Sequence, residues 1–180
     1  MRSPSIRVAR AQDLAELIAL EARCFVGDRL SARQYRAHLR SPRAWLALVA
    51  QGKDVLGSAL VFFRSDTRRA RLYSIAVDPA ARGLGLGVRL LRAAEQAARA
   101  RGATHLRLEV RIDNAAAIAL YRAQGYQEFG RRAGYYEDGA AALRFEKVFS
   151  PRSGANSVDR RPGSTSRRGR PPARDTRRRT

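Results

Sequence analysis

Apolar residues recur along the chain with two different periods, and each period predicts one kind of secondary structure. In the segment 104–111, Leu106, Leu108 and Val110 alternate with charged residues, which predicts a strand with one apolar and one charged face. Turn signals at Gly52-Lys53-Asp54 and Glu137-Asp138-Gly139 predict hairpins. Similar alternation or short β-favouring runs predict six more strands, at residues 6–8, 44–51, 55–64, 72–77, 126–136 and 141–148.

Other segments repeat apolar residues every three or four positions, as amphipathic helices do. Ser31 with Gln34 forms a capping-box signature, Asn114 is a typical helix cap, and Gly102 is a typical helix end. The helices predicted in this way cover residues 13–25, 31–39, 88–101 and 115–124. The order of elements predicts a mixed α/β domain with six to seven strands and about four helices.

The composition changes after Ser150, where Pro, Gly, Ser, Thr and Arg replace almost all apolar residues. The chain carries 36 Lys and Arg against 16 Asp and Glu, a net charge of +20, and its last 30 residues hold +8 of that total. Such a segment buries too little apolar surface to offset its ordering entropy. We therefore predict a folded domain over residues 1–149 and a disordered Arg-rich tail over residues 150–180.

Several protein classes are disfavoured by what the sequence lacks. Cys24 is the single cysteine, so no intramolecular disulfide can form and a disulfide-stapled secreted domain is excluded. The sequence shows no signal-peptide pattern and no apolar run of about 20 residues, the length that spans a membrane. His38 and His105 lack metal-ligand spacing, so we expect no metal site. The expected compartment is the cytoplasm, with no membrane partner.

The segment Arg82–Gly87 has the composition of a loop that holds an anion. Three glycines spaced two apart follow the strand 72–77 and open a helix, whose first N–H groups can approach a ligand with the helix dipole behind them. A P-loop would need Lys-Ser/Thr after its last glycine, and the dinucleotide fingerprint would need glycine at Val88. Both patterns fail on spacing. The alternative is a tight turn whose glycines only admit close helix packing.

The pattern Arg-x-x-Gly-x-Gly of Arg82–Gly87 and the stretch Leu106–Tyr126, LRLEVRIDNAAAIALYRAQGY, together resemble the GCN5-related N-acetyltransferases (GNAT). Within that superfamily they resemble the RimI type, which acetylates the N-terminal amino group of a ribosomal protein. The resemblance covers about residues 72–148 and implies the GNAT fold. In that fold a mixed, mostly antiparallel sheet holds acetyl-CoA in a cleft between two splayed central strands.

The resemblance also assigns residues to the cofactor and to the chemistry. It implies that acetyl-CoA is bound, chiefly through backbone groups, by Ile75, Ala76, Val77, Arg82, Gly83, Leu84, Gly85, Leu86, Gly87, Val88, Asn114 and Tyr121. Glu109 matches the family's catalytic base and Tyr121 its proton donor. Each assignment has an alternative: Glu109 in ion pairs with Arg107 and Arg111, Tyr121 as an ordinary packing aromatic, and Asn114 as a helix cap alone.

The identity of the acceptor stays open at this point. The resemblance places Tyr135 and Tyr136 beside the acceptor groove, where aromatics can clamp a peptide, although a plain hairpin tip is the alternative. Phe25–Ser31 lacks the Pro-Trp-Ser run of the ribosomal-protein enzymes. A protein or peptide amine, ribosomal protein included, would favour a basic groove, and a small amine an acidic pocket. The charge of +12 on residues 1–150 favours the peptide.

The tail suggests a second kind of partner. Arg-rich disordered segments bind phosphate backbones with little sequence choice, so contact with RNA or the ribosome through residues 151–180 is one expectation. A solubilising tail without a partner is the other. The sequence does not fix the oligomeric state.

Overall fold

The structure, a computed structural model, describes residues 3–27 and 29–150, so the predicted tail beyond Ser150 lies outside the described residues. Its strands are β1 (Ser5–Val8), β2 (Ala44–Gln51), β3 (Asp54–Phe62), β4 (Arg69–Val77), β5 (His105–Arg111), β6 (Gln127–Arg132) and β7 (Ala142–Val148). Its α-helices are α1 (Leu14–Cys24), α2 (Ala32–Arg40), α3 (Leu86–Ala100) and α4 (Ala115–Ala123). Among these helices, none has both the length and the apolar character needed to cross a membrane.

The seven strands form one open sheet in the order β1-β2-β3-β4-β5-β7-β6. Every neighbouring pair is antiparallel except β4 and β5, which run parallel. The first four strands form a meander, and α3 supplies the crossover that a parallel connection requires. The predicted mixed, mostly antiparallel sheet with about four helices is therefore confirmed.

Helices cover both faces of the sheet, because the central strands are apolar on both sides. Leu48 and Leu60 pack in a core with α1 and α2, whereas Val49 and Val61 pack in the larger core with α3 and α4. The side-chain period of two along a strand sends neighbouring residues to opposite faces. This explains why β2 and β3 read as continuous apolar runs, while β5 alternates.

The sheet opens where β4 and β5 part. Their parallel pairing runs from Arg69 and His105 to Leu72 and Leu108, and no further pairing joins these two strands. At this point the register between β3 and β4 skips Tyr73, which is a β-bulge. A bulge bends its strand and increases the local twist. We attribute the separation of β4 from β5 to this bend, and it produces the predicted splay between the two central strands.

Local signals placed most elements correctly. Ser31 and Gln34 form the predicted capping box of α2, and the Asn114 side chain accepts from the Ala117 N–H at 3.1 Å to cap α4. The strand predicted over 126–136 is shorter and ends at Arg132. Gly134 has a φ of 56°, a left-handed conformation that does not continue a strand. The segment 133–141 is consequently a loop.

Candidate active site

A cleft of about 830 Å³ lies between the diverging ends of β4 and β5. The end of α1, the start of α4 and the loop before β7 complete its walls. Six of the predicted site residues line it: Ile75, Glu109, Asn114, Tyr121, Tyr135 and Tyr136. The remaining predicted residues lie along the rest of β4, in the loop that leads into α3 and in the first turn of α3.

Glu109 and Tyr121 reach this cleft from opposite faces of the sheet. Leu108 and Val110 point into the core that contains Tyr121, so the alternation along β5 turns Glu109 to the other face. The cleft therefore passes through the sheet where β4 and β5 separate. Both side chains can face one bound molecule.

Glu109 is held by two arginines, but not by the two that the sequence suggested. Its Oε2 accepts from Arg71 Nε at 2.9 Å, and its Oε1 lies 3.9 Å from Arg144 Nε. Arg107 instead pairs with Glu146, and Arg111 with Asp113 and Asp138. The alternative interpretation that Glu109 pairs with arginines is therefore correct, but the two arginines that it named are wrong. Residues opposite each other on adjacent strands lie closer than residues two apart on one strand, and Arg144 lies opposite Glu109.

Arg71 was missed by the sequence reasoning. Its guanidinium binds Glu109 through Nε and the Tyr135 hydroxyl through Nη2, at 2.5 Å, so it joins β5 to the loop before β7. The signal that could have found it is the alternation of Arg69, Arg71 and Tyr73 with the buried Ala70 and Leu72, which extends β4 towards its amino end.

Tyr121 is both a packing residue and a cleft residue. Its side chain is 4% exposed, and its ring contacts Tyr126 and Phe145 with centroids 5.8 and 6.3 Å away. Burial, with a smaller contribution from Tyr136, raises the pKa of the Tyr121 hydroxyl above its ordinary value. The phenol is therefore protonated at neutral pH and can serve as a proton donor.

The free edge of β4 offers backbone groups to the cleft side. Asp78 N–H donates to Leu56 O at 2.9 Å, which sets the alternation of backbone groups along the β3–β4 pair. By that alternation, the groups of Ala76 face β3, whereas those of Ile75 and Val77 face away from it. Cys24 Sγ donates to Val77 O at 3.4 Å, consistent with this direction. Ile75 and Val77 can thus pair with an extended ligand as an added strand would.

The loop into α3 has the backbone geometry of an anion cradle. Gly83 and Gly85 have φ values of 82° and 69°, and a Cβ on either would meet nothing within 4 Å, so their surroundings are open. The first intrahelical bond is from Arg89 N–H to Gly85 O at 3.1 Å. The N–H groups of Leu86, Gly87 and Val88 consequently lack intrahelical partners, and the first turn holds no acidic residue. These features fit a pyrophosphate.

The packing alternative holds for one of the three glycines. A Cβ on Gly87 would lie 3.1 Å from Leu120 Cδ1 and 3.9 Å from Val77 Cγ2. Gly87 therefore lets the start of α3 approach α4 and the end of β4 closely. Arg82 and Leu84 are exposed at the mouth of the loop. Arg89 donates to Pro4 O at 2.8 Å.

The cleft is more acidic than the whole chain. Its charged lining comprises two arginines, Arg71 and Arg111, and four carboxylates: Glu21, Glu109, Glu137 and Asp138. The expectation that the basic domain would give a basic groove is therefore wrong, because the excess arginines lie elsewhere.

Within residues 3–27 and 29–150, no group of three or more His, Cys, Asp or Glu is arranged to hold a metal ion.

Comparisons with known proteins agree with this geometry. Residues 12–126 match the model of the Acetyltransferase (GNAT) family. The chain is 40% identical over 131 residues to the N-alpha-acetyltransferase RimI of Mycobacterium tuberculosis, which covers 71% of this chain and 79% of that protein. It is 39% identical over 99 residues to streptothricin acetyltransferase of Streptomyces lavendulae, covering 55% and 52%. The structure of the ribosomal-protein-S18-alanine N-acetyltransferase from Escherichia coli matches with a TM-score of 0.74 and 28% identity, covering 86% of this chain and 100% of that one.

Proposed function

The chain belongs to the acetyltransferase (GNAT) family and is an N-acetyltransferase, and we propose that its acceptor is the N-terminal α-amino group of a protein. The observation that carries the proposal is the cleft at the β4–β5 splay, which brings Glu109 and Tyr121 to one site. The name of the relative from M. tuberculosis specifies an α-amino acceptor, and that of the E. coli structure specifies a ribosomal protein. A ribosomal protein is therefore the acceptor class that we favour.

Enzymes of this family take the acetyl group from acetyl-CoA, whose thioester supplies an activated acyl carbon. We assign its pyrophosphate to the N–H groups of Leu86, Gly87 and Val88 and to the loop Arg82–Gly85 before them. Its pantetheine amides are assigned to the backbone of Ile75 and Val77, with Ala76 between them. Asn114, whose side-chain oxygen already caps α4, lies on the cleft wall where its amide can also donate to this arm.

Glu109 and Tyr121 divide the proton transfers between them. An α-amino group has a reference pKa near 8, so most of it is ammonium at neutral pH and must lose a proton before it can attack. The Glu109 carboxylate accepts that proton. As the new C–N bond forms and the C–S bond breaks, the Tyr121 hydroxyl gives its proton to the departing thiolate. The nitrogen loses its second proton as it becomes an amide, and that proton restores the Tyr121 hydroxyl. Each group typically contributes about 10² to 10⁴ in rate.

The acidic lining suits the acceptor before it is deprotonated. Glu137 stands at the cleft wall next to Tyr135 and Tyr136, whose rings meet edge to face at 5.1 Å. An incoming ammonium is cationic, so a cleft with excess carboxylates attracts it. This holds for a peptide terminus and a small amine alike, and charge does not separate them.

A small-amine acceptor is the second candidate, favoured by the likeness to streptothricin acetyltransferase. That likeness covers a smaller share of both proteins than the likeness to the M. tuberculosis enzyme.

The cytoplasm stays part of the main proposal, because a ribosomal-protein acceptor is found there. Contact of the Arg-rich tail with RNA or the ribosome is a further part of it.

The acceptor can be tested with three substrates under identical conditions. The first is a peptide with a free N-terminal alanine, the second is the same peptide with its terminus blocked and one internal lysine, and the third is streptothricin. Mass spectrometry would locate each acetyl group. We expect acetylation of the free terminus at a kcat/KM well above that of the other two substrates. Preference for streptothricin would establish the second candidate and contradict the first.

A further inference from the structure

A second pocket, of about 310 Å³, lies at the amino ends of β4 and β5, away from the catalytic cleft. It is formed where the β3–β4 turn meets the residues that follow α3, and four of its lining residues are arginines: Arg64, Arg68, Arg69 and Arg101. Because strands rise about 3.3 Å per residue, Arg69 and Ile75 on β4 are about 20 Å apart. A molecule in this pocket would not obstruct the active site.

The walls of this arginine pocket are fixed by hydrogen bonds across it. Arg68 O accepts from Thr104 N–H at 2.7 Å, and Arg68 Nε donates to Gly102 O at 3.1 Å. The Arg101 guanidinium lies over the Phe63 ring, 4.3 Å from its centroid, and donates to Ala44 O at 3.4 Å. These contacts hold the pocket in shape and orient two of its four cations before any ligand arrives.

The positive charge of the pocket is largely uncompensated. Asp66 pairs with Arg64 at 2.7 Å, and the other three arginines have no carboxylate partner among residues 3–27 and 29–150. The Arg69 guanidinium makes no hydrogen bond or ion pair with the described residues. The carbonyl end of α3 lies near this pocket and would repel an anion. Its dipole is equivalent to only about half a negative unit charge, which is less than the charge of the three arginines. The pocket is therefore a net cationic concavity.

We propose that this pocket binds consecutive phosphate groups of an RNA backbone. Guanidinium groups match phosphate oxygens with two parallel hydrogen bonds, and the Thr67 hydroxyl on the pocket wall adds a neutral donor. Three of the cations lie in the β3–β4 connection and at the start of β4, and Arg101 follows α3, so positive charge extends between two segments, which suits successive phosphates along a strand. RNA is favoured over an acidic protein surface because the Arg101–Phe63 stack also presents a plane on which an unpaired base can stack. This site is distinct from the tail and independent of the acetyl acceptor.

The test is the salt dependence of binding by the full chain to a fluorescein-labelled single-stranded RNA of mixed sequence. Each phosphate contact adds about 0.7 to the slope of log affinity against log salt. The double substitution Arg68→Gln/Arg69→Gln should therefore make the slope shallower by about 1.4, which corresponds to roughly 25-fold weaker binding at 0.1 M salt. Arg68→Lys/Arg69→Lys should keep most of the slope.

The matched control is Arg33→Gln/Arg36→Gln, which removes the same charge from exposed positions on α2. Equal loss in both double variants would mean that net charge alone attracts RNA, and unchanged binding in the pocket variant would equally overturn the site. Two competitors at constant ionic strength test the ligand class. Displacement by millimolar inorganic phosphate would assign the pocket to free phosphate, and displacement by poly-glutamate as effective as unlabelled RNA would assign it to an acidic protein. Thermal melting of each variant verifies folding.

Discussion

At the scale of single residues, the contact between Arg71 and Glu109 has the greatest consequence for the chemistry. Arg71 holds one carboxylate oxygen of Glu109 at 2.9 Å and leaves the other for the acceptor, with Arg144 more distant at 3.9 Å. The same guanidinium also binds Tyr135. Arg71 is thus a positioning residue that orients the proposed base and ties the acceptor-side loop to it.

Substitution Arg71→Gln should lower kcat about 10- to 100-fold, since a misplacement of about 1 Å at a reacting group can cost that much. The affinity for acetyl-CoA should not change. Arg71→Lys should recover part of the rate, because lysine keeps the charge but cannot bind two groups with one planar fork. Steady-state kinetics with a peptide acceptor measure the effect.

The control for this prediction is Arg107→Gln, which removes an arginine of β5 that pairs with Glu146 instead of Glu109. If both variants lose rate equally, the loss reflects the stability of the sheet and the positioning role of Arg71 is wrong.

Tyr121 gives a prediction about pH. Burial raises the pKa of its hydroxyl, so the proton is lost only at a pH above the ordinary value of 10.0. A proton donor with a raised pKa is active below that pKa and inactive above it. The rate should therefore show no alkaline decline below about pH 10, the reference value for tyrosine. A decline of kcat near pH 8 or 9 that disappears in Tyr121→Phe would contradict this assignment.

Sequence reasoning reached these residues unequally. Glu109 and Tyr121 were identified because a recognisable motif surrounds each of them. Arg71 lies 38 positions from Glu109, and its role depends on which strands are neighbours. The partners of Arg107 and Arg111 were mispredicted for the same reason. Alternation tells which face a side chain occupies, but the register of the next strand decides what it meets.

At the scale of elements, the loop before α3 allows the effect of backbone strain to be measured separately from the effect of lost cofactor contact. Gly83 and Gly102 both have left-handed φ values, 82° and 76°, and a Cβ on either would meet nothing within 4 Å. Only Gly83 belongs to the proposed pyrophosphate loop. A substitution at either glycine therefore causes similar backbone strain, but only a substitution at Gly83 lies beside the proposed cofactor site.

Gly83→Ala and Gly102→Ala should each destabilise the fold by about 1 to 2 kcal/mol, the cost of a left-handed conformation for a residue with a Cβ. Only Gly83→Ala should weaken acetyl-CoA binding, by about tenfold or 1.4 kcal/mol. Thermal denaturation and calorimetric titration with acetyl-CoA measure the two effects. Equal affinities in the two variants would remove the loop from the cofactor site.

The periodicity of the sequence was enough to place most helices and strands, because each carries its own apolar pattern and cap. It did not locate the bulge at Tyr73, which exists only in the register between β3 and β4. It also extended β6 too far, because Tyr135 and Tyr136 are β-favouring residues in a segment where Gly134 turns the chain. The feature that opens the cleft is thus tertiary in origin.

At the scale of the whole molecule, the sign of the local charge differs from one site to another. The chain has a net charge of +20, yet the cleft carries more carboxylates than guanidiniums and a separate pocket collects four arginines. Composition predicted the total and gave the wrong sign for the cleft, because a net charge contains no information on placement.

The division into a domain of residues 1–149 and a tail stays a prediction. Removal of residues 151–180 should leave the melting temperature and the acetyl-CoA affinity unchanged, since all seven described strands and the described lining of the cleft lie before residue 151. It should weaken RNA binding and flatten its salt slope. A lower melting temperature would show that the tail packs on the domain, and an unchanged salt slope would exclude the tail from RNA binding.

The most direct test of the central claim is the turnover of Glu109→Gln on a peptide with a free α-amino terminus, measured together with acetyl-CoA binding by calorimetry. Glutamine preserves the size of the side chain and removes its capacity to accept the proton. The account predicts a fall in kcat of about 10² to 10⁴ with cofactor affinity unchanged. A variant that retains the full rate at every pH would contradict the assignment of Glu109 as the base.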